Sequence, residues 1–210
     1  LSNLGNENDL VGRFLMNHPK KALGYFHFKK STKNSPHVVK LREPGWLGYE
    51  GLRLREDIQK SLGVLNCYLR FEEIYSLPQR ILRKIFPKIQ LSVKKVRIWN
   101  FMEMEPLAEN RLTLSNSLDT YGKKIPLINI HTSELDRKSV IELHRIFGEE
   151  MEKNGVGRLE SNLGQTNPWP IIFDASHHLG GTIMGKDPKK SVVDENLKVH
   201  SVDNLYIASG

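Results

Sequence analysis

The stretch from Asp174 to Asp194 holds the side chains best suited to chemistry. His177 and His178 are adjacent, and the pair Gly180-Gly181 follows at once after Leu179. Imidazole titrates near neutral pH and so suits proton transfer. Paired glycines bend a backbone sharply and let a flat ligand approach the main chain closely. A base beside a stripped backbone suits a planar cofactor. On residue type alone, a His-His pair is more often a feature of surface or core than a site. A zinc centre is disfavoured, because adjacent histidines do not easily face one ion and no cysteine or carboxylate cluster completes four ligands.

The rest of the composition narrows the field. At 210 residues the chain is long enough for one sizeable core, or for one domain with pieces of another. The net charge of +7 raises the question of an anionic partner. Yet the lysines fall in separated pairs, such as Lys20-Lys21 and Lys94-Lys95, with no dense basic helix, zinc-finger spacing or aromatic RNA-binding signature. Solvated surface lysines are the better account, and no nucleic-acid partner is expected. No uncharged run approaches the length of a membrane span. The first residues lack the pattern of a signal peptide, and the chain does not begin with methionine. A single cysteine, Cys67, fits a reducing compartment and excludes an internal disulfide.

The elements that must position the histidines follow from periodicity and punctuation. Asn8-Asp9 predicts a cap for a short helix over Leu10–Met16, stopped by His18-Pro19. Alternation in Tyr25–Phe28 and Cys67–Phe71 predicts strands, and Pro44-Gly45 a turn. Residues 79–86 predict a helix with Ile81, Leu82, Ile85 and Phe86 on one face. Val93–Met104 and a returning strand from Arg111 predict a long-looped hairpin. Ile125–Ile130 predicts another strand, with Pro126 hinting at an edge. The strongest helix spans 133–153, opened by the Ser133/Asp136 spacing and carrying Val140, Leu143, Phe147 and Met151 on one stripe. His144 beside that stripe is expected to be packed or half-exposed. Short strands are expected at Val192-Val193, Leu197–Val199 and Leu205–Ala208.

The segment His177–Asp194, followed by Leu197–His200 and Asn204–Ala208, closely resembles the C-terminal region of the glucose–methanol–choline (GMC) oxidoreductases, flavoenzymes that carry FAD. Asn6–Pro19 resembles the family's exit from the flavin domain. Met104–Ser115 resembles its substrate-domain hairpin, and Ser133–Arg137 the start of its long helix. Four separated matches in the right order make the resemblance specific, while residues 20–92 carry little of it.

The resemblance implies an α+β fold: an antiparallel-sheet substrate domain with packed helices, plus short segments of an α/β FAD-binding domain. Residues 1–20 would leave the FAD-binding domain, 21–175 form the substrate-binding domain, and 176–210 return as active-site loop and strand. The family's active-site histidine stands seven positions before its Met-Gly pair, which here is Met184-Gly185, and so lands on His177. A register anchored on Thr182 would choose His178 instead. The ungapped match favours His177 as the catalytic base, with His178, Gly180, Gly181, Ser209 and Gly210 alongside FAD. Many members carry an acidic residue at the Ser209 position. The implied reaction is oxidation of an alcohol or sugar CH–OH group, with the His-His-Leu-Gly-Gly-Thr variant closer to the sugar-oxidising bacterial branch. The family's GxGxxG loop is missing and its second active-site residue would follow Gly210, so the chain reads as an internal piece. By itself it is expected to hold FAD weakly and not to turn over. The competing reading is an inactive GMC-like binding or scaffold protein.

Overall fold

The computed structural model describes residues 4–32, 51–163, 169 and 177–209, and the backbone of 40–43 and 46–49. Val38-Val39, the Pro44-Gly45 turn, Asp174–Ser176 and Gly210 lie outside the described residues.

The chain forms two compact units. The first comprises Leu1–His18, Met104–Ser133 and Ala175–Gly210, and the second Pro19–Glu103 and Glu134–Asp174. Among the described residues the elements in chain order are β1 (Lys20–Thr32), β2 (Lys40–Glu43), β3 (Trp46–Tyr49), β4 (Leu52–Arg53), α1 (Glu56–Leu62), β5 (Cys67–Glu73), α2 (Leu77–Ile85), β6 (Val93–Met102), β7 (Arg111–Leu118), β8 (Lys124–Asn129), α3 (Glu134–Lys153) and β9 (Gly157–Ser161). All named strand pairs are antiparallel. The fold is α+β, as the resemblance implies.

The second unit is a five-stranded sheet in the order β4-β5-β6-β1-β9. Side chains alternate between its faces with the strand period of two. Val96 and Ile98 of β6 and Leu69 and Phe71 of β5 are therefore buried together, and an irregularity in β1 between Ala22 and Tyr25 brings Leu23 and Phe26, three apart, to the same core. The long helix α3 begins one residue after Ser133 and brings its stripe of Val140, Leu143 and Phe147 to the same core, with Met151 packed against it. Phe26 sits 5.3 Å from Phe147 and 6.3 Å from Phe71, ring centre to ring centre. Cys67 is buried there, and the loss of water pushes its thiol up to about 12.

One polar chain crosses this core. His144 on α3 is only 3% exposed. Its Nε2–H donates to Asn100 Oδ1 on β6 at 2.7 Å, and its Nδ1 accepts from Ser161 Oγ on β9 at 2.7 Å. The Ser161 hydroxyl is oriented by accepting from the Leu163 backbone N–H at 3.2 Å. Burial pushes the His144 imidazole down to about 4, so the folded state keeps it neutral. Because the unfolded chain protonates it near pH 6.5, stability is full above that pH and is lost as pH falls toward 4. The loss attributable to His144 is on the order of 3 kcal/mol. Denaturant unfolding followed across this window is expected to show it, and His144→Gln to flatten the dependence. An unchanged pH slope in that variant would refute the assignment.

Three local expectations are corrected. Leu10–Met16 is not a helix but a run of turns, because Asp9, Gly12 and Phe14 take positive φ (53°, 86° and 58°) that interrupt helical hydrogen bonding. The strand from Arg111 does not pair with that from Val93. β6 has both edges taken, by β1 and β5, and β7 pairs instead with β8 in a separate two-stranded sheet. Pro126 of β8 stands opposite Leu114 in that small sheet, where every strand is an edge and a missing N–H costs least. In the tail, the apolar pairs form isolated bridges, Met184 to Val193, Val193 to Val199 and Lys198 to Tyr206, not continuous strands.

Candidate active site

The histidines belong to the first unit, and its backbone explains where they stand. Residues 11–16 run between β7 and the segment 179–181. On one side Leu112 N–H donates to Gly12 O at 2.9 Å and Leu15 N–H to Asn110 O at 2.8 Å. On the other, Met16 and Leu179 exchange hydrogen bonds of 2.9 and 3.1 Å, and Gly181 N–H donates to Arg13 O at 2.9 Å. Gly12 N–H completes the strip to Gly181 O at 2.6 Å. His177 and His178 thus precede a segment anchored along residues 12–16, which are themselves bonded to β7 and the loop before it.

The glycines have different local reasons. Gly180 has φ 81°, and a Cβ there would lie 2.0 Å from the Phe14 carbonyl oxygen. Gly12 is equally constrained, 2.1 Å from Leu112 O. Gly181 has φ 77°, but a Cβ there would meet nothing nearer than Gly12 Cα at 3.9 Å. The stripped backbone at Gly181 therefore borders open space, whereas at Gly180 it borders protein.

His177 is exposed and held at φ 64°, a conformation that histidine tolerates better than most residues. Its ring stands edge-on to that of His18, with centroids 6.0 Å apart. His178 is exposed beside it, as are Leu179 and Met184. Sequence reading gave His18 only the role of a stop before Pro19; the structure brings it to His177. No short-range signal could show this, since residues 18 and 177 meet only through the Met16–Leu179 bridge. Ser209 is exposed, and Gly210 lies outside the described residues.

Two further clusters stiffen the frame. Asp9 accepts from Arg111 at 3.0 Å and from Arg13 at 2.5 Å, and these guanidinium hydrogen bonds hold its carboxyl far below the usual range. Fully buried Asn110 pins the loop before β7 by exchanging hydrogen bonds of 3.0 Å with the His131 backbone. Nearer the tail, His200 Nε2–H reaches both Gly185 O (3.0 Å) and Ser191 Oγ (2.8 Å), and Ser191 Oγ–H is shared between Gly185 O and Asp187 O. This ties the Met184-Gly185 turn to the buried Val192, Val193 and Val199. A cavity of about 170 Å³ opens beside it, lined in part by Asn6, Leu10, Ser191 and His200.

What the arrangement offers is an exposed imidazole at the end of a hydrogen-bonded strip, with bare backbone at Gly181 three residues beyond His178. Among the described residues no cluster of three or more metal-ligating side chains is found, and no helix is long and apolar enough to cross a membrane.

The profile of the GMC oxidoreductases matches residues 106–210, which is half of the chain. The chain belongs to the GMC oxidoreductase family. It is similar to the fructose dehydrogenase large subunit of Gluconobacter japonicus, with 25% identity over 226 aligned residues, covering 99% of this chain and 37% of that protein. It is also similar to paromamine 6'-oxidase of Streptomyces fradiae, with 28% identity over 127 residues, 59% of this chain and 22% of that one. Among solved structures, pyridoxine 4-oxidase from Mesorbium loti aligns over 93% of this chain and 37% of its own, at 17% identity and a TM-score of 0.44. The chain thus spans between about a fifth and little more than a third of the length of the curated relatives it matches.

Proposed function

We propose that the protein is an FAD-dependent oxidoreductase acting on the CH–OH group of an alcohol, sugar or polyol, with His177 as its base. The observation that carries this reading is the exposed His177, fixed at the end of the 179–181 strip beside an open backbone at Gly181. Membership of the family supports the cofactor. Similarity to a fructose dehydrogenase large subunit favours a sugar-type substrate.

FAD, when bound, supplies the acceptor for the hydride leaving the carbinol carbon. An imidazole nitrogen of His177 takes the hydroxyl proton as that C–H bond breaks, so the alcohol loses two electrons and two protons' worth of hydrogen in balance. The His177 ring is open to water, which receives the proton afterwards. His178 and the Gly180-Gly181 backbone would hold FAD, with Gly181 as the open side and Gly180 packed against Phe14, and Ser209 and Gly210 would be further contacts. His178, one position along, helps to shape that wall and does not touch the reacting hydroxyl.

The test is anaerobic mixing of the protein, as its own cell makes it, with a panel of sugars, polyols and simple alcohols. Bleaching of bound flavin by at least one of them is expected. A preparation that carries no flavin, or whose flavin none of the panel reduces, would overturn the proposal.

A further inference from the structure

Helix α2 is turned the wrong way round for a helix that serves its own core. Its apolar residues Leu77, Ile81 and Ile85 recur every four positions and form one stripe. A surface helix ordinarily turns such a stripe inward. Here Leu77 is 68% exposed, Ile81 52% and Ile85 63%, and no residue of the helix is buried. The half-buried side is mixed, with Gln79 and Leu82 turned toward the second unit. Arg83 lies over the Tyr75 ring at 4.3 Å, and Gln79 Nε2–H donates to Ser92 O at 3.0 Å. Arg80 and Arg83 share a depression with Tyr75 and Glu72. Phe86, at the end of the helix, is 57% exposed and extends the outward apolar surface.

The charge around this stripe is one-sided. From Ile74 to Met102 the sequence has seven lysines and arginines and no acidic residue. Lys84 stands three residues on from Ile81 and rims the stripe, and Lys88 follows in the turn after the helix; both are exposed. A second copy of this chain is a poor cover, because docking α2 on α2 would bring Lys84 and Lys88 of the two copies together, while the nearby carboxylates, Glu72 and Glu73, lie in the depression that Arg80 and Arg83 share. A surface of negative headgroups over hydrocarbon matches both features at once.

We propose that α2 and the turn after it lie on an acidic phospholipid surface, with Leu77, Ile81, Ile85 and Phe86 entering the headgroup–acyl boundary and Lys84 and Lys88 among the headgroups. The helix lies in the interface plane and does not span the bilayer. This surface belongs to the second unit and does not depend on the chemistry proposed for His177.

The experiment is co-sedimentation of the full chain with phosphatidylcholine vesicles, plain or containing phosphatidylglycerol. Binding to the acidic vesicles alone is expected, with release as salt rises. Ile81→Glu combined with Ile85→Glu changes only exposed positions, so melting should be unchanged while vesicle binding falls to background. Lys84→Gln combined with Lys88→Gln is expected to weaken binding about 25-fold, at about fivefold per lysine. No binding to acidic vesicles, or binding that neither variant alters, would overturn the proposal. So would dimerisation or capture of a protein partner through the same face without any vesicle binding.

Discussion

Replacing His177 by asparagine is expected to lower turnover of the best alcohol substrate by about 10²–10⁴-fold, the range a positioned general base supplies. Asparagine is the better probe than alanine because it too tolerates the φ of 64° found there, so the strip from Leu179 to Gly181 should stay in place. Flavin content and the KM are expected to change little, since the imidazole acts on the proton in the transition state and does not carry the substrate's binding. His178→Asn, one residue along, should cost much less. Steady-state kinetics on the protein as its own cell makes it would check both. If His178→Asn lost the larger factor, the base would be His178 and the register anchored on Thr182 would be the right one. If neither variant lost more than about tenfold, the proton would go elsewhere.

The second large effect concerns the glycine pair. Gly180→Ala places a methyl 2.0 Å from the Phe14 carbonyl oxygen, a contact that backbone must move to relieve. Phe14 is held by its neighbours: Leu15 N–H is bound to Asn110 O, and Met16 to Leu179. Relief therefore means breaking part of this ladder. A destabilisation of more than about 2 kcal/mol in the first unit is expected, adding the clash to the left-handed backbone cost of about 1–2 kcal/mol. Gly181→Ala carries the backbone cost alone, because the nearest atom to its new methyl would be 3.9 Å away. Its effect should appear in flavin retention, where the added methyl stands in the proposed cofactor's approach. Thermal melting and flavin content, measured on both variants, separate the two roles. Equal loss of stability in both would remove the distinction, and undiminished flavin in Gly181→Ala would remove that residue from the cofactor wall.

Much of the fold was legible because its signals are local. α3 shows in the stripe of Val140, Leu143 and Phe147, whose spacing matches one helical face and whose burial is complete. β1 and β5 show in alternation, the mark of a strand half-buried on one side. α2 was legible as a helix, with its Ser76/Gln79 capping box placing the start two residues ahead of the expected position. Its orientation was not. Amphipathic spacing tells which residues share a face; it does not tell whether that face turns to the sheet or away from it. The run Leu10–Met16 failed for a different reason. Its apolar content suits a helix, but hydrogen bonds to β7 and to 179–181 outbid the helical ones.

For the site, the sequence by itself determined the family and singled out His177, His178 and the two glycines, since these lie close together in one recognisable stretch. The motif is recognisable without a fold because residue type and spacing carry it. Only the tertiary structure decided that β7 turns to β8 and not to β6, and that His144 is a buried link between Asn100 and Ser161. It alone separated Gly180, whose bare backbone makes room for Phe14, from Gly181, whose bare backbone faces open space. It alone brought His18 within 6.0 Å of His177. The reason is common to all four: each depends on contacts between residues far apart in the chain, and a strand, ring or glycine has no local preference that names its distant partner.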